Sequence, residues 1–153
     1  MRVFRDDAWF GYLLAIIFGA SMFFGGCATT FNYSYDPRAD FSTGKKYTWE
    51  TGSLEYRQNP LIEKNVRYYA DQSLKDKGFT LTSDKPDFMI STIYTLDYSD
   101  PYKVRLLNLY VTRGQGKELI WQGTADGSIK VDAASPDLAE AVKKILINFP
   151  PKR

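Results

Sequence analysis

The chain predicts an α+β domain: a two-layer sandwich in which a mostly antiparallel sheet of four to six strands carries two amphipathic helices on one face, after an N-terminal signal helix. Three observations lead there. Segments with period-two alternation recur between Phe31 and Val131, separated by turns rich in Gly, Pro and Asp. Two stretches carry a helical apolar stripe behind an Asn-Pro or Ser-Pro start. Once an apolar N-terminal run is set aside, the rest of the 153 residues fits one ordinary domain, with no internal repeat or low-complexity segment.

The elements follow in order. Phe31, Tyr33 and Tyr35 alternate with Asn32 and Ser34, a half-buried strand that stops at Asp36-Pro37. Lys45–Glu50 reads as a second strand with Tyr47 and Trp49 on one face. Asn59 caps a helix that opens with Pro60, and Ile62, Val66, Tyr69, Ala70 and Leu74 form its apolar stripe. Glu63, Arg67, Asp71 and Lys75 alternate in sign on the other side and read as a solvated face. Gly78 ends this helix. A short strand, Phe79–Thr82, is followed by strands over Phe88–Tyr98 and Tyr102–Thr112. Gly114-Gln115-Gly116 makes a hairpin loop. In the next strand Leu119, Trp121, Ala125, Ile129 and Val131 point one way, and Glu118, Gln122, Thr124, Asp126, Ser128 and Lys130 point the other. That pattern implies a sheet with one wet face, and Gly123 and Gly127 within it predict a bulge or bend. Ser135 caps the last helix, with Pro136 first and an apolar stripe of Leu138, Ala141, Val142, Ile145, Leu146 and Phe149, stopped by Pro150-Pro151.

The N-terminus reads as an export signal. Ala8–Phe24 is an apolar run of about 17 residues, at the short edge of what crosses a bilayer core. Small residues Gly25-Gly26 follow, and then Cys27, the only cysteine in the chain. The reading is a bacterial lipoprotein: residues 1–26 form the signal peptide, Cys27 carries the lipid, 27–30 form a tether and 31–151 the domain. Arg2 and Arg5 are offset by Asp6 and Asp7, and Phe24 stands where a lipobox usually has Leu. Two alternatives therefore stand beside it. One is an uncleaved single span, for which Trp9 and Tyr12 suit an interfacial belt. The other is an ordinary cleaved signal, against which a lone unpaired thiol argues. Several acyl chains on one cysteine would hold the protein permanently.

Composition narrows the chemistry. The chain has no histidine, so the commonest general base and metal ligand is missing. With its one cysteine expected to bear lipid, neither a Ser/His/Asp nor a Cys/His arrangement can be assembled. No Gly-rich phosphate loop is present, and no cofactor or metal site is expected. The net charge of +2 gives no reason to invoke nucleic acid. What remains for catalysis is paired carboxylates, Asp84 with Asp87 or Asp97 with Asp100, both pairs beside proline in turns where Asp serves the backbone.

Several phrases are similar to one known family. Tyr33-Ser34-Tyr35-Asp36-Pro37, Ala39-Asp40-Phe41-Ser42 and Lys46-Tyr47-Thr48-Trp49 resemble the opening of the bacterial lipoprotein family catalogued as domain of unknown function 4136. Lys77-Gly78-Phe79, Lys85-Pro86-Asp87-Phe88, Trp121-Gln122-Gly123 and Ala141-Val142 through Phe149-Pro150-Pro151 match its later phrases in order. The resemblance implies a small envelope lipoprotein with an α+β domain and no established activity, and it supplies no catalytic residues. Ala28 follows the cysteine where Asp would mark inner-membrane retention, so the outer membrane is the expected home, with the domain facing the periplasm and the inner membrane as the alternative.

The expected function is a lipid-anchored, non-enzymatic binding or envelope-maintenance module close to the membrane surface; the rival is a periplasmic hydrolase using paired carboxylates. Its partners are the membrane, through the N-terminal lipid, and an envelope protein; the oligomeric state is left open. Ten of the 11 tyrosines lie in the domain. Tyr94 and Tyr98 on one strand face, with Tyr102 across the turn, form the candidate binding patch. Packing within the sheet is the competing role for all three.

Overall fold

A computed structural model describes residues 29–50, 59–114, 118–133 and 135–152. The signal segment and Cys27 fall outside the described residues, as does the Gln115-Gly116 part of the expected hairpin loop. The elements are β1 (Thr30–Tyr35), β2 (Lys46–Trp49), α1 (Pro60–Asp76), β3 (Thr80–Leu81), β4 (Phe88–Leu96), β5 (Lys103–Arg113), β6 (Leu119–Lys130) and α2 (Asp137–Ile145), then a 3-10 turn at Leu146–Asn148. The six strands make one sheet in the order β1-β6-β5-β4-β2-β3. Pairings β1–β6, β6–β5 and β5–β4 are antiparallel, whereas β2 runs parallel to both β4 and β3. Both helices lie on one face, as the alternation required.

Local signals set the helices. The Asn59 side chain accepts a hydrogen bond from the Leu61 N–H at 3.0 Å, and Pro60 occupies the first turn, where its missing N–H costs nothing. Ile62, Val66, Ala70 and Leu74 are buried at helical spacing. Gly78 adopts φ of +80° just past the helix, a conformation open to glycine at little cost. At α2 the Ser135 hydroxyl accepts from the Asp137 N–H at 3.2 Å, the bond that the Ser-Pro start predicts, and the regular helix runs from Asp137, one residue past Pro136.

β6 departs from simple alternation. Val111 pairs with Trp121 but Thr112 pairs with Leu119, which leaves Ile120 as an extra residue. Ile120 is buried and Leu119 is exposed, the reverse of the alternation reading, because one inserted residue exchanges the two faces beyond it. A second register shift falls between Val104 and Leu106, opposite Gly127. There a Cβ on Gly127 would lie 2.7 Å from the Thr29 Cα, so glycine is what lets the chain pass into β1.

Gly123 sets the contact between layers. A Cβ there would stand 2.3 Å from the Trp121 ring and 2.6 Å from the Ile145 side chain of α2. The bare backbone admits the edge of the indole beneath the helix. Trp121 in turn meets Phe149 edge-on at 5.2 Å, and Phe149 meets Phe79, Phe88 and Phe41 at 5.4–6.1 Å. Gly123→Ala should lower stability by about 1–3 kcal/mol through overpacking, read as a lower urea midpoint with an unchanged slope.

Candidate functional site

Three of the four carboxylates that spacing put forward, Asp87, Asp97 and Asp100, accept hydrogen bonds from backbone. Asp87 accepts hydrogen bonds from the Lys45 and Lys46 N–H groups at 2.9 and 2.8 Å, tying the start of β4 to the start of β2. Asp84 sits in the exposed turn before it, where its backbone is bonded to the Thr82 hydroxyl. Asp97 accepts from the Ser99 hydroxyl at 2.6 Å and the Ser99 N–H at 2.8 Å, and Asp100 accepts from the Tyr102 N–H at 2.9 Å and pairs with Lys103 at 3.1 Å. These bonds favour the ionised carboxylates, holding Asp97 and Asp100 below the ordinary range. A general acid needs the opposite shift.

The three tyrosines separate into two environments. Tyr94 points to the helix face, where its hydroxyl donates to the Asn59 carbonyl and accepts from the Asn59 N–H, both at 2.9 Å. It fastens the start of α1 to β4. Tyr98 is wholly exposed and Tyr102 is 68% exposed, one at each end of the turn joining β4 to β5.

One polar cluster was not legible in the charge pattern. Asp71 of α1 accepts from the Tyr47 hydroxyl at 2.7 Å and from the Trp49 indole N–H at 2.9 Å. Arg67 lies over the Trp49 ring at 5.1 Å and bonds to Glu63 and to the Glu50 carbonyl. The expected solvated face is thus corrected: Glu63, Arg67 and Asp71 are half-buried, Arg67 and Asp71 against β2, and Lys75 alone of the four is exposed. The reason is that β2 runs alongside α1 and brings two donors to that side. Burial, then the acceptor Asp71, pushes the Tyr47 phenol far above the ordinary tyrosine range.

Among the described residues no element covers the sheet's other face, which is mostly uncharged. Asn32, Thr124, Asn108 and Ile93 form one cross-strand row, and Ser34, Gln122, Tyr110 and Ser91 form the next. Thr124 donates to Asn108 at 2.7 Å, and Asn108 is the one buried polar residue among those described. The concavities found around the domain are open surface grooves of 210–400 Å³.

Residues 31–151 match the family model described as domain of unknown function (DUF4136), and the chain belongs to that family. A DUF4136 family protein from Bacteroides thetaiotaomicron is similar in fold at TM-score 0.58 and 13% identity, over 80% of this chain and 96% of that one. The PelC dodecamer from Paraburkholderia phytofirmans aligns at TM-score 0.59 and 12% identity, over 82% and 100%. A PDZ domain protein from Parabacteroides distasonis aligns at 0.58 and 15%, over 83% of this chain but only 37% of its own. At these identities the likeness is one of fold. No curated protein matches.

Asp71→Ala should strand two donors, one on the buried Tyr47, and cost about 1–3 kcal/mol, measured by denaturant unfolding. A phenol whose folded value is raised stabilises fully below the unfolded value near 10, and that stabilisation is lost as pH climbs toward the folded value. Burial raises Tyr94 as well. Stability should therefore fall above about pH 10, and Tyr47→Phe with Tyr94→Phe should flatten that fall in alkaline unfolding curves.

Proposed function

We propose that this protein is a lipid-anchored module of the bacterial cell envelope, held by acyl chains on Cys27, that works by binding at the membrane surface. The observation carrying the reading is the apolar run ending at Gly25-Gly26-Cys27 immediately before the β1 of a DUF4136 domain. Strand β1 begins at Thr30 and Thr29 already rests against Gly127, so only Ala28 lies between Cys27 and residues seated on the domain. A body joined so closely works within a short reach of the bilayer. Ala28 supports the outer membrane as its home. Binding is favoured over carboxylate hydrolysis because no Asp or Glu among the described residues is buried, and Asp97 and Asp100 are held ionised.

Self-association is a second reading. Among the described residues no strand pairs with the outer edge of β1, and its six residues, Thr-Phe-Asn-Tyr-Ser-Tyr, carry no charge or proline to discourage another strand. Tyr33 and Tyr35 stack beside it at 6.4 Å. PelC from P. phytofirmans, of similar fold, forms a dodecamer.

Mass spectrometry of the protein from membranes should find a chain beginning at an acylated Cys27. Cys27→Ser should leave residues 1–26 in place and abolish the acyl mass; a wild-type chain without acyl groups refutes the anchor. For assembly, Ser34→Lys should lower the mass measured by light scattering in detergent. A monomer in the wild type would dismiss that second reading.

A further inference from the structure

Strand register places the chain's exit and the exposed tyrosines at the same end of the sheet. Thr30 pairs with Asp126, and Asp126 pairs with Leu106, so β1 enters beside the ends of β5 and β6 that carry Lys103 and Lys130. The β4–β5 turn closes that end, with Leu96 paired to Val104 and the Val131 N–H bonded to the Tyr102 carbonyl at 2.9 Å. Thr29 against Gly127 carries the backbone further the same way. From β1 to β4 is three strand spacings, about 14 Å across.

Lengths agree along the strands as well. From the level of Leu106 to Lys103 the sheet extends three residues, about 10 Å. From Thr30 back to Cys27 is likewise three residues, about 10 Å when extended. A lipid on Cys27, or an apolar span ending just before it, therefore reaches the level of the turn and little beyond.

The turn is built to present its rings. The Asp97 and Asp100 carboxylates are engaged by Ser99, Tyr102 and Lys103, which fixes the backbone and leaves the Tyr98 and Tyr102 side chains outside. Lys103 and Arg105 stand near these carboxylates, so the turn carries little net charge. Exposed tyrosines of this kind suit the headgroup level of a bilayer, where the ring is sheltered and the hydroxyl stays wet.

We infer that the Tyr98–Tyr102 turn is a membrane-contact site that seats in the headgroup layer beside the Cys27 anchor, so that the strands stand upright on the bilayer. This rests on the membrane-anchored reading above and adds an orientation to it. The opposite end, carrying Asp84 and the β5–β6 loop, then points away from the lipid.

The test uses full-chain protein, processed in cells and reconstituted into vesicles of zwitterionic phosphatidylcholine and phosphatidylethanolamine. An environment-sensitive fluorophore is placed at Ser99→Cys in one sample and at Asp84→Cys in another. Flotation with the vesicles reports the anchor separately. The label at 99 should shift to the blue and lose most of its emission to a lipid-borne quencher, while the label at 84 keeps its aqueous spectrum. Adding Tyr98→Ser and Tyr102→Ser should return the label at 99 toward the aqueous spectrum without changing flotation. Two equally aqueous labels on floating protein would overturn the orientation and leave the anchor standing. Protein that fails to float would overturn both.

Discussion

The close approach of α2 to β6 at Gly123 is the joint on which the rest of the domain depends. Because that position has no side chain, the Trp121 indole slides under Ile145 and reaches Phe149, beyond the end of the helix. Phe149 then gathers Phe79 from the end of α1, Phe88 from β4 and Phe41 from the segment before β2. Elements far apart in sequence are thereby fastened through one set of rings. With a single cysteine the chain can form no internal disulfide, so this cluster has to supply much of what covalent bridges give some other small domains.

That joint also fixes what the surface offers. With both helices on one face, the other is left as rows of Asn, Thr, Gln and Ser, broken by Tyr110 and Ile93. Carboxylates that could suggest catalysis serve the backbone instead: Asp87 closes β4 onto β2, and Asp97 and Asp100 shape a turn. Asp71 joins α1 to β2 through Tyr47 and Trp49. The polar chemistry of the domain serves mainly to hold its own parts together.

How legible the fold was depended on the range of the forces involved. Helix α1 could be bounded closely because Asn59, Pro60 and Gly78 act within one turn of its ends. The strands β4 and β5 announced themselves by alternation, and Gly127 by its place in β6. Leu119 was misplaced because the extra residue at Ile120 is created by pairing with β5, which local sequence does not encode. Asp71 read as solvated for a similar reason: its spacing matched its charged neighbours, but the donors it meets come from β2, more than 20 residues away. Tyr94 and Tyr98 looked equivalent at a spacing of four, yet one fastens a helix start and the other stands in solvent beyond the strand's end.

The sequence by itself determined the class of fold, the family, most of the helix and strand bounds, and the absence of imidazole chemistry, because composition, caps and periodicity are local properties. Tertiary structure alone decided that β2 lies parallel between β3 and β4, that Asp71 faces the sheet, and that β1 begins at the same end of the sheet as the Tyr98–Tyr102 turn. Each of these follows from strand order and register, which arise from burying the sheet's apolar face against both helices at once, a condition no single segment carries.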